Sequence, residues 1–230
     1  MRDVTLFVGP TAPASPGRSL MRRGVRLQPP ARRGDIERLV ASSEPAVVVI
    51  CDGVFESEPA VSHAEICGAL DAGWLVWGVS SIGAIRAFEL RHEGMQGFGY
   101  VHAQFDRFVD FTDDEMCLLH VPGPPYLALS EPLVNLRFAL ERKKTAFKIS
   151  DESERCLLSA LRELWFGERT EERIRQLMLE TAGFERRSAA RLLAWLRLHR
   201  VKTLDLLELM ARRPWDKSCG GQREVEQIRR

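Results

Sequence analysis

The feature of the sequence that most constrains its fold is an unbroken apolar run, Ala46–Cys51, built largely of β-branched residues. A strand with one face in water alternates apolar and polar residues, so this run predicts a strand that is covered on both faces. Such strands occur in parallel sheets that lie between layers of helices. The run ends at Asp52-Gly53, which puts a carboxylate and a flexible backbone at the carboxyl end of the strand.

The rest of the N-terminal part completes an α/β pattern. The predicted strands are Val4–Val8, Ala46–Cys51 and Trp74–Trp77, and helical patterns begin near Gly34, Pro59 and Ile82. Ser57 or Glu58 is the expected cap of the second helix, and residues 11–33 are expected to form a long loop. Alternating strands and helices with short links predict a small, mostly parallel sheet with flanking helices, which collects ligands at the carboxyl ends of its strands.

From about Ser130 the spacing of apolar residues becomes helical. The predicted helices are Pro132–Phe147, Asp151–Phe166, Thr170–Thr181, Arg187–Arg200 and Thr203–Arg213. Ser150 or Asp151, Thr170 and Thr203 are their expected N-caps. We therefore predict three parts: an α/β core over residues 1–125, a helical region over 126–213, and a charged, disordered tail over 214–230.

Charge and composition exclude several classes of protein. Lys and Arg number 33 against 32 Asp and Glu, so a sequence-independent nucleic-acid binder, which needs surplus cations, is not expected. No apolar run approaches the roughly 18 residues of a membrane span, and the N-terminus lacks a signal pattern, which together predict a cytoplasmic location without a membrane partner. Five cysteines without a CxxC pair predict neither a disulfide framework nor a zinc site, and no metal ligands are assigned.

The segment Gly78–Gly83 is the strongest candidate for chemistry. Ser81 stands between a strand and a helix, with Gly83 two positions later, which is similar to the turn that presents the nucleophilic serine of hydrolases. The unpaired amides at the start of the helix would stabilise an oxyanion. The alternative is that Ser80 or Ser81 only caps the helix.

Three other polar segments allow two interpretations each. Asp52 is either a site carboxylate or a turn-forming residue before Gly53, and His63 is either a base near the same sheet edge or a structural group. Asp113-Asp114-Glu115 either binds a cation or forms a solvated acidic turn. No GxxxxGK[ST] loop and no GxGxxG after a strand is present, so nucleotide hydrolysis by this chain is not expected.

Several short motifs occur together in a fixed order. They are Val8-Gly9-Pro10-Thr11, Gly34-Asp35-Ile36, Asp52-Gly53-Val54-Phe55, His63-Ala64-Glu65-Ile66, Gly78–Leu90, Gly94-Met95-Gln96-Gly97, Asp113-Asp114-Glu115 and Asn135-Leu136-Arg137. In these motifs, which extend mainly over residues 4–120, the sequence resembles the TfuA family. The number of ordered motifs makes this resemblance specific.

The resemblance implies a role beside a YcaO enzyme, which uses ATP to activate a backbone amide of a ribosomal peptide or protein so that sulfur can replace its oxygen. It implies that this chain hydrolyses the C-terminal thiocarboxylate of a ThiS-like sulfur carrier, supplies the sulfide to YcaO, and helps YcaO to bind the substrate peptide. ATP and Mg²⁺ are expected on YcaO, and no cofactor is expected on this chain. The family's proposed active site is a Ser–Lys pair, and Ser81 matches its serine.

The other site residues are assigned around Ser81. Arg86, one helical turn further on, would anchor a carboxylate or thiocarboxylate, because its guanidinium stays protonated and cannot act as a base. Ser81 and His63 are the expected catalytic residues. The residues expected to bind substrate are Asp52, Gly53, Ser80, Gly83, Arg86 and Glu89.

One motif departs from the family, because Ala64 stands where the family has a lysine. A serine hydroxyl needs a nearby base, and the lysines of this chain lie in the helical part or the tail, at Lys143, Lys144, Lys148, Lys202 and Lys217. If one of them or His63 supplies the base, the chain is a hydrolase; otherwise it is a non-catalytic adaptor that docks YcaO and the carrier. A third alternative is an α/β small-molecule binder unrelated to thioamidation.

Overall fold

The computed structural model describes residues 2–13, 20–54 and 58–216. They fall into two compact units: a sheet unit, which contains residues up to Asp106 and from Asp205 onward, and a helical unit, Arg107–Leu204. The domain boundary expected at residues 125–126 stays a prediction. Pro214–Asp216, assigned to the tail by the sequence, instead forms a 3-10 turn with Trp215 buried. Residues 217–230, with Lys217 and Cys219, lie outside the described residues, as do Phe55 and Ser57.

The sheet unit contains a five-stranded sheet in which all neighbouring strands are parallel. The strands are β1 (Val4–Phe7), β2 (Val25–Gln28), β3 (Val47–Ile50), β4 (Leu75–Val79) and β5 (Gln96–Phe98), in the order β2-β1-β3-β4-β5. The predicted parallel α/β architecture is therefore confirmed. The chain adds β2 on one side of β1 and then crosses over to add β3 on the other side. In open parallel sheets, ligands bind beyond the carboxyl ends of two such strands, which here are β1 and β3.

The helices of the sheet unit cover both faces of the sheet. They are α1 (Asp35–Ser42), α2 (His63–Asp71), α3 (Ile82–Glu89), α4 (Gly99–Arg107) and, from Asp205 onward, α9 (Val201–Arg212). Val48 and Ile50 of β3 pack in one core with residues of α1, α2 and α3. Val47 and Val49 pack in a second core with residues of α9. This alternation explains why the β3 run has no polar face.

Two edge strands and one helix are absent from the sequence prediction. β2 lies in the segment expected to be a loop, and its middle residues are exposed, so its sequence lacks the apolar run of a central strand. β5 is only three residues long and contains a glycine. Helix α4 begins at Gly99, where the sequence has no local capping residue. These elements carry weak local signals because they lie at the margins of the sheet.

The start of α2 also differs from the expectation. The helix begins at His63 rather than near Pro59, and Ser62 is its N-cap. The hydroxyl of Ser62 accepts the Glu65 amide at 3.3 Å, and Glu65 Oε1 accepts the Ser62 amide at 2.6 Å. This reciprocal pair is a capping box, whose S-x-x-E pattern was present in the sequence.

The helical unit packs its helices around one apolar core. Its remaining helices are α5 (Leu133–Lys143), α6 (Asp151–Arg162), α7 (Glu171–Glu180) and α8 (Arg186–Leu198), with 3-10 segments at Asp113–Met116 and Phe166–Glu168. The expected caps Ser150 and Thr170 are confirmed, because each hydroxyl accepts an amide in the first turn of its helix. Thr203 is not an N-cap, since α9 already begins at Val201.

Within residues 2–13, 20–54 and 58–216, no helix has both the length and the apolar character needed to cross a bilayer.

Candidate active site

A strained turn connects β4 to α3 at the centre of the candidate site. Ser80 has a φ of 66°, in the left-handed region that residues with a side chain rarely adopt, and it is completely buried. The amide of Ser81 donates to the carbonyl of Val79 at 2.8 Å, which closes a three-residue turn around Ser80. The backbone reverses within this turn, so Ser81 is the first residue before α3.

Two glycines allow α3 to lie directly on the sheet. A Cβ at Gly78 would stand 1.9 Å from the carbonyl oxygen of Gly83, and a Cβ at Gly83 would stand 1.7 Å from that of Ile50. Real side chains cannot occupy either position without displacing the backbone. The Gly83 amide also donates to Cys51 O at 3.3 Å. The first turn of α3 is therefore fixed against the carboxyl end of β3.

The structure argues against the interpretation of Ser81 as a helix cap. Ser81 occupies the N-cap position, but its side chain makes no capping hydrogen bond. In the first turn, the amide of Ala84 donates to Ser81 O, whereas the amide of Ile82 has no acceptor among the described residues. In hydrolases with a similar turn, the amide after the nucleophile contributes to the oxyanion hole, and Ile82 is that residue here.

Asp52 binds the loop after β1. Its carboxylate accepts the amides of Gly9 and Thr11 at 2.8 and 2.9 Å, and the Thr11 hydroxyl at 2.6 Å. The side chain is buried, so these donors satisfy it within the protein. Gly53, next in sequence, packs against Ala31, and a Cβ there would stand 2.9 Å from Ala31 O. Asp52 and Gly53 thus shape the sheet edge beside the β4–α3 turn.

His63, Arg86 and Glu89 form a second group, on the surface shared by α2 and α3. His63 Nε2 lies 2.7 Å from Glu89 Oε2, and Arg86 Nη1 donates to the same oxygen at 2.6 Å. Arg86 Nε also donates to the carbonyl of Val61 at 3.0 Å. Partial burial alone would raise the pKa of Glu89, but the hydrogen bonds from His63 and Arg86 outweigh it, and the net pKa is lowered.

The structure therefore places the predicted site residues in two groups rather than one. Glu89 follows Ser81 by eight positions on α3, which corresponds to about 12 Å along the helix axis. The His63 ring is held at this distant end, and its hydrogen bond among the described residues is the one with Glu89. A contact of His63 with Ser81 requires that the ring leave Glu89. The catalytic and substrate-binding assignments stay predictions.

Ala64 faces a different part of the unit from His63. It lines a groove of about 650 Å³ between α1 and α2, together with Arg33 and Glu37. His63 contacts α3 instead, so successive residues of α2 point to opposite neighbours. A lysine in place of Ala64 would begin on the α1 side of α2.

No lysine occurs among the described residues of the sheet unit. The described lysines belong to the helical unit, at Lys143, Lys144, Lys148 and Lys202. Lys144 Nζ binds carboxylates of Asp151 and Glu154, each at 2.7 Å. Lys202 is buried and donates to the carbonyl of Met116 at 2.8 Å. Both lysines therefore have structural partners within the helical unit.

The acidic segment of the helical unit binds arginines instead of a cation. Glu115 is buried and accepts two hydrogen bonds from Arg137, at 2.7 and 2.8 Å, and Asp114 is paired with the buried Arg169. Arg137 and Arg169 lie more than 20 residues further along the chain, so the sequence of the acidic segment alone does not predict these ion pairs. In the part of the chain that the structure describes, no group of three or more His, Cys, Asp or Glu residues is arranged to hold a metal ion.

Comparison with known proteins assigns the family. A family model described as TfuA-like protein matches residues 52–170, just over half of the chain. The match begins at Asp52 and includes the β4–α3 turn and Asn135-Leu136-Arg137, whereas the motifs at residues 8–11 and 34–36 precede it. No curated protein matches the sequence. On the extent of the family match, the chain is a member of the TfuA-like protein family.

Proposed function

We propose that this protein hydrolyses the C-terminal thiocarboxylate of a ThiS-like sulfur carrier and supplies the sulfide to a YcaO enzyme. The TfuA-like family is associated with YcaO-dependent thioamidation. The sulfur would enter the backbone of a ribosomal peptide or protein bound by YcaO. The observation that carries the hydrolytic step is the β4–α3 turn, which places Ser81 directly before the Ile82 amide, an amide without an acceptor among the described residues.

The reaction at this turn is the transfer of the carrier's acyl group to Ser81, followed by hydrolysis of the resulting ester. Ser81 Oγ attacks the thiocarboxylate carbon and gives its proton to a base, and the developing oxyanion accepts the Ile82 amide. The base returns the proton to sulfur as the C–S bond breaks, which leaves an ester on Ser81 and releases hydrosulfide. Water then cleaves the ester and regenerates Ser81 and the carrier carboxylate. Sulfide is a better leaving group than an amine, so the first step needs less help from a general acid.

The base in this scheme is His63, after its ring has turned away from Glu89. Arg86, in the second group with His63 and Glu89, would hold the carboxylate end of the carrier through its guanidinium. Asp52 supports the site by fixing the loop after β1 at the same sheet edge. The fixed contact of Gly83 with β3 keeps the Ile82 amide in place.

The test is sulfide release from purified thiocarboxylated carrier. We expect Ser81→Ala to abolish release, while Ser42→Ala, an exposed serine on α1, releases sulfide at the wild-type rate. His63→Ala should lower the rate strongly, because Ser81 then lacks its proton acceptor. Unchanged release by Ser81→Ala would exclude this serine as the nucleophile.

The second candidate function is that of an adaptor, which binds YcaO and the carrier without hydrolysis. Two observations favour it: the hydrogen bond that holds His63 on Glu89, and the absence of lysine from the described residues of the sheet unit. An adaptor would release no sulfide in any variant and would still lower the KM of YcaO for its peptide. Measurement of both quantities on the same preparation separates the two functions.

A further inference from the structure

Beyond the end of β3, the chain makes a further set of backbone contacts that orient the amide of Gly53. Gly53 and Ala31 form a parallel bridge. In this bridge the Ala31 amide donates to Asp52 O at 2.8 Å, and the Val54 amide donates to Ala31 O at 3.0 Å. Successive residues of a paired strand point their backbone groups to opposite sides. The amide of Gly53, which lies between these two bonded residues, therefore points away from Ala31.

The side that the Gly53 amide faces is the side of β4. The Asp52 amide donates to Phe7 O of β1 at 3.2 Å, so the residues around Gly53 use the β1 side for their hydrogen bonds. Strand β4 pairs with β3 on the opposite side and leads into the β4–α3 turn. Gly53 lies against this turn, because a Cβ at Gly53 would stand 2.7 Å from Ile82 Cγ2. The Gly53 amide is thus directed to the region beside Ile82.

Two backbone donors without acceptors are brought together in this region. In the part of the chain that the structure describes, neither the Gly53 amide nor the Ile82 amide has a hydrogen-bond acceptor. Strand β4 ends at Val79, so it does not continue alongside Gly53. The Gly83 amide does have an acceptor, Cys51 O, and this bond fixes the start of α3 two residues before Gly53 in the sequence of β3. The two donors are therefore held on neighbouring strands of one rigid sheet edge.

A ligand can approach these donors from solvent. Gly53 and Ser81 are partly exposed, whereas Ser80 and the side chain of Ile82 are buried. Glycine is required at position 53, because a Cβ there would also stand 2.9 Å from Ala31 O. The absence of a side chain leaves the amide of Gly53 open on the side of Ser81. Backbone amides fixed in this way need no reorganisation when charge develops beside them.

The proposed reaction needs more than one donor. A thiocarboxylate is already an anion, and attack by Ser81 with loss of its proton adds a second negative charge to the groups on the same carbon. The oxygen becomes an oxyanion while the sulfur still carries its charge, until the base returns the proton to sulfur. Hydrolases with a serine in a similar turn take one donor from the residue after the serine and another from a loop that follows a second strand of the sheet.

We infer that the amide of Gly53 is a second oxyanion donor, which acts together with the amide of Ile82. This inference rests on the hydrolytic function proposed above. The thiocarboxylate oxygen accepts both N–H groups as Ser81 Oγ bonds to the carbon. The oxygen returns its electron pair to the carbon when the C–S bond breaks, and sulfur leaves as hydrosulfide with the proton from the base. Asp52, whose carboxylate binds the loop after β1, holds the residue before this donor in place.

The first test removes the N–H of Gly53 without adding a Cβ. Replacement of Gly53 by glycolic acid, through semisynthesis of the full chain, converts this amide into an ester. We expect kcat for sulfide release from the thiocarboxylated carrier to fall on the order of a hundredfold, with KM nearly unchanged, because the donor acts in the transition state. Urea unfolding checks that the replaced chain is folded.

The matched control is the same replacement at Gly94. The amide of Gly94 also has no acceptor among the residues described, but Gly94 comes just before β5, at the amino edge of the parallel sheet. We expect this chain to release sulfide with the wild-type kcat.

A second measurement detects the hydrogen bond itself. A boronic acid that carries the last residues of the carrier forms a tetrahedral anion on a nucleophilic serine, and Ser81→Ala should form none. In the wild-type adduct, we expect the amide proton resonances of Gly53 and Ile82 to move downfield, while that of Gly94 keeps its position.

The outcomes separate this inference from the proposed function. If the chain with glycolic acid at position 53 releases sulfide with the wild-type kcat, the inference is wrong and the hydrolytic function stands. A raised KM with an unchanged kcat also overturns it, because Gly53 would then bind the carrier only in the ground state. If the wild type neither releases sulfide nor forms the boronate adduct, both the inference and the hydrolytic function are wrong.

Discussion

Buried carboxylates are satisfied differently in the two units of the protein. In the sheet unit, Asp52 accepts the Gly9 and Thr11 amides, and Asp205 accepts the amides of Tyr100 and Val101. In the helical unit the buried carboxylates bind arginines: Glu115 binds Arg137 and Arg162, and Glu131 binds Arg200. The sheet unit therefore uses carboxylates to fix backbone, and the helical unit uses them to join side chains.

This difference has consequences for energy and for function. A buried carboxylate that accepts hydrogen bonds only from uncharged groups has no opposite charge to offset its desolvation. Such a carboxylate holds the backbone of a loop or of a helix start in one position through its hydrogen bonds. A site at the edge of a sheet requires backbone that is held in this way. Arginine pairs keep charge balanced but join flexible side chains, and they suit helix packing.

The largest expected effect concerns Asp205, whose burial raises its pKa to about 7, against the lowering by the Val101 and Tyr100 amides. The folded chain then holds a proton that the unfolded chain loses above pH 3.8, so stability falls as pH rises from about 4 to 7. The fall is ~1.4 kcal/mol per pH unit, on the order of 4 kcal/mol in all. Urea unfolding at several pH values measures it.

Asp205→Asn provides the comparison for this pH dependence. Asn carries no titrating proton, so the decline of the free energy of unfolding between pH 4 and 7 should flatten, even though the side-chain NH2 of Asn cannot accept one of the two amides and lowers the stability at every pH. Asp71→Asn, at an exposed position of α2, should keep the wild-type slope. An equal slope for Asp205→Asn and the wild type would show that Asp205 does not titrate in this range.

Asp52→Ala should have the next largest effect. Alanine removes the acceptor of the buried Gly9 and Thr11 amides, and we expect a loss of about 3 kcal/mol of unfolding free energy. Sulfide release should fall as well, because the loop after β1 loses its anchor. A loss below 1 kcal/mol would mean that the loop finds other acceptors. Urea unfolding gives the value.

Glu115→Gln tests the arginine-held carboxylates of the helical unit. We expect a loss of about 2 kcal/mol, smaller than at Asp52, because the amide oxygen still accepts one hydrogen bond and Arg162 is partly exposed to water. Urea unfolding of Glu115→Gln and Asp52→Ala under the same conditions ranks them directly. If Glu115→Gln loses more unfolding free energy than the Asp52 variant, the proposed difference between the buried carboxylates of the two units is wrong.

Glu89→Gln should have the smallest effect on stability. Glu89 and His63 are both exposed, and exposed ion pairs contribute little, so the unfolding free energy should change by less than about 0.5 kcal/mol. The same variant releases His63 from its hydrogen bond, so in the hydrolytic scheme its sulfide release should be retained or increased. Loss of release with normal stability would instead assign Glu89 a direct part in catalysis.

The central strands and the turn before α3 could be predicted because their signals are local. The apolar run before Asp52 and the glycines at positions 78 and 83 each determine nearby backbone. The capping box at Ser62 is equally local, and the predicted start of α2 at Pro59 is wrong because the helix begins after this cap. Periodicity and caps thus predicted most of the helices.

The site geometry could not be predicted to the same extent, because it depends on distant partners. Asp205 caps the start of α4 from about a hundred residues away along the chain, and Arg169 reaches back to Asp114. The sequence predicts His63 and Ser81 in one site because both follow strands of one sheet. Their separation arises from the contact of His63 with Glu89, which lies further along α3. No local pattern contains that information.

The placement of α9 affects how the protein folds during synthesis. Leu206, Leu209 and Met210 cover one face of the sheet, yet they are translated after the whole of residues 107–204. At the usual pace of translation, the ribosome spends roughly ten seconds on that intervening stretch. A nascent chain therefore carries an uncovered apolar sheet face throughout that interval, and it is prone to aggregation until α9 has been made.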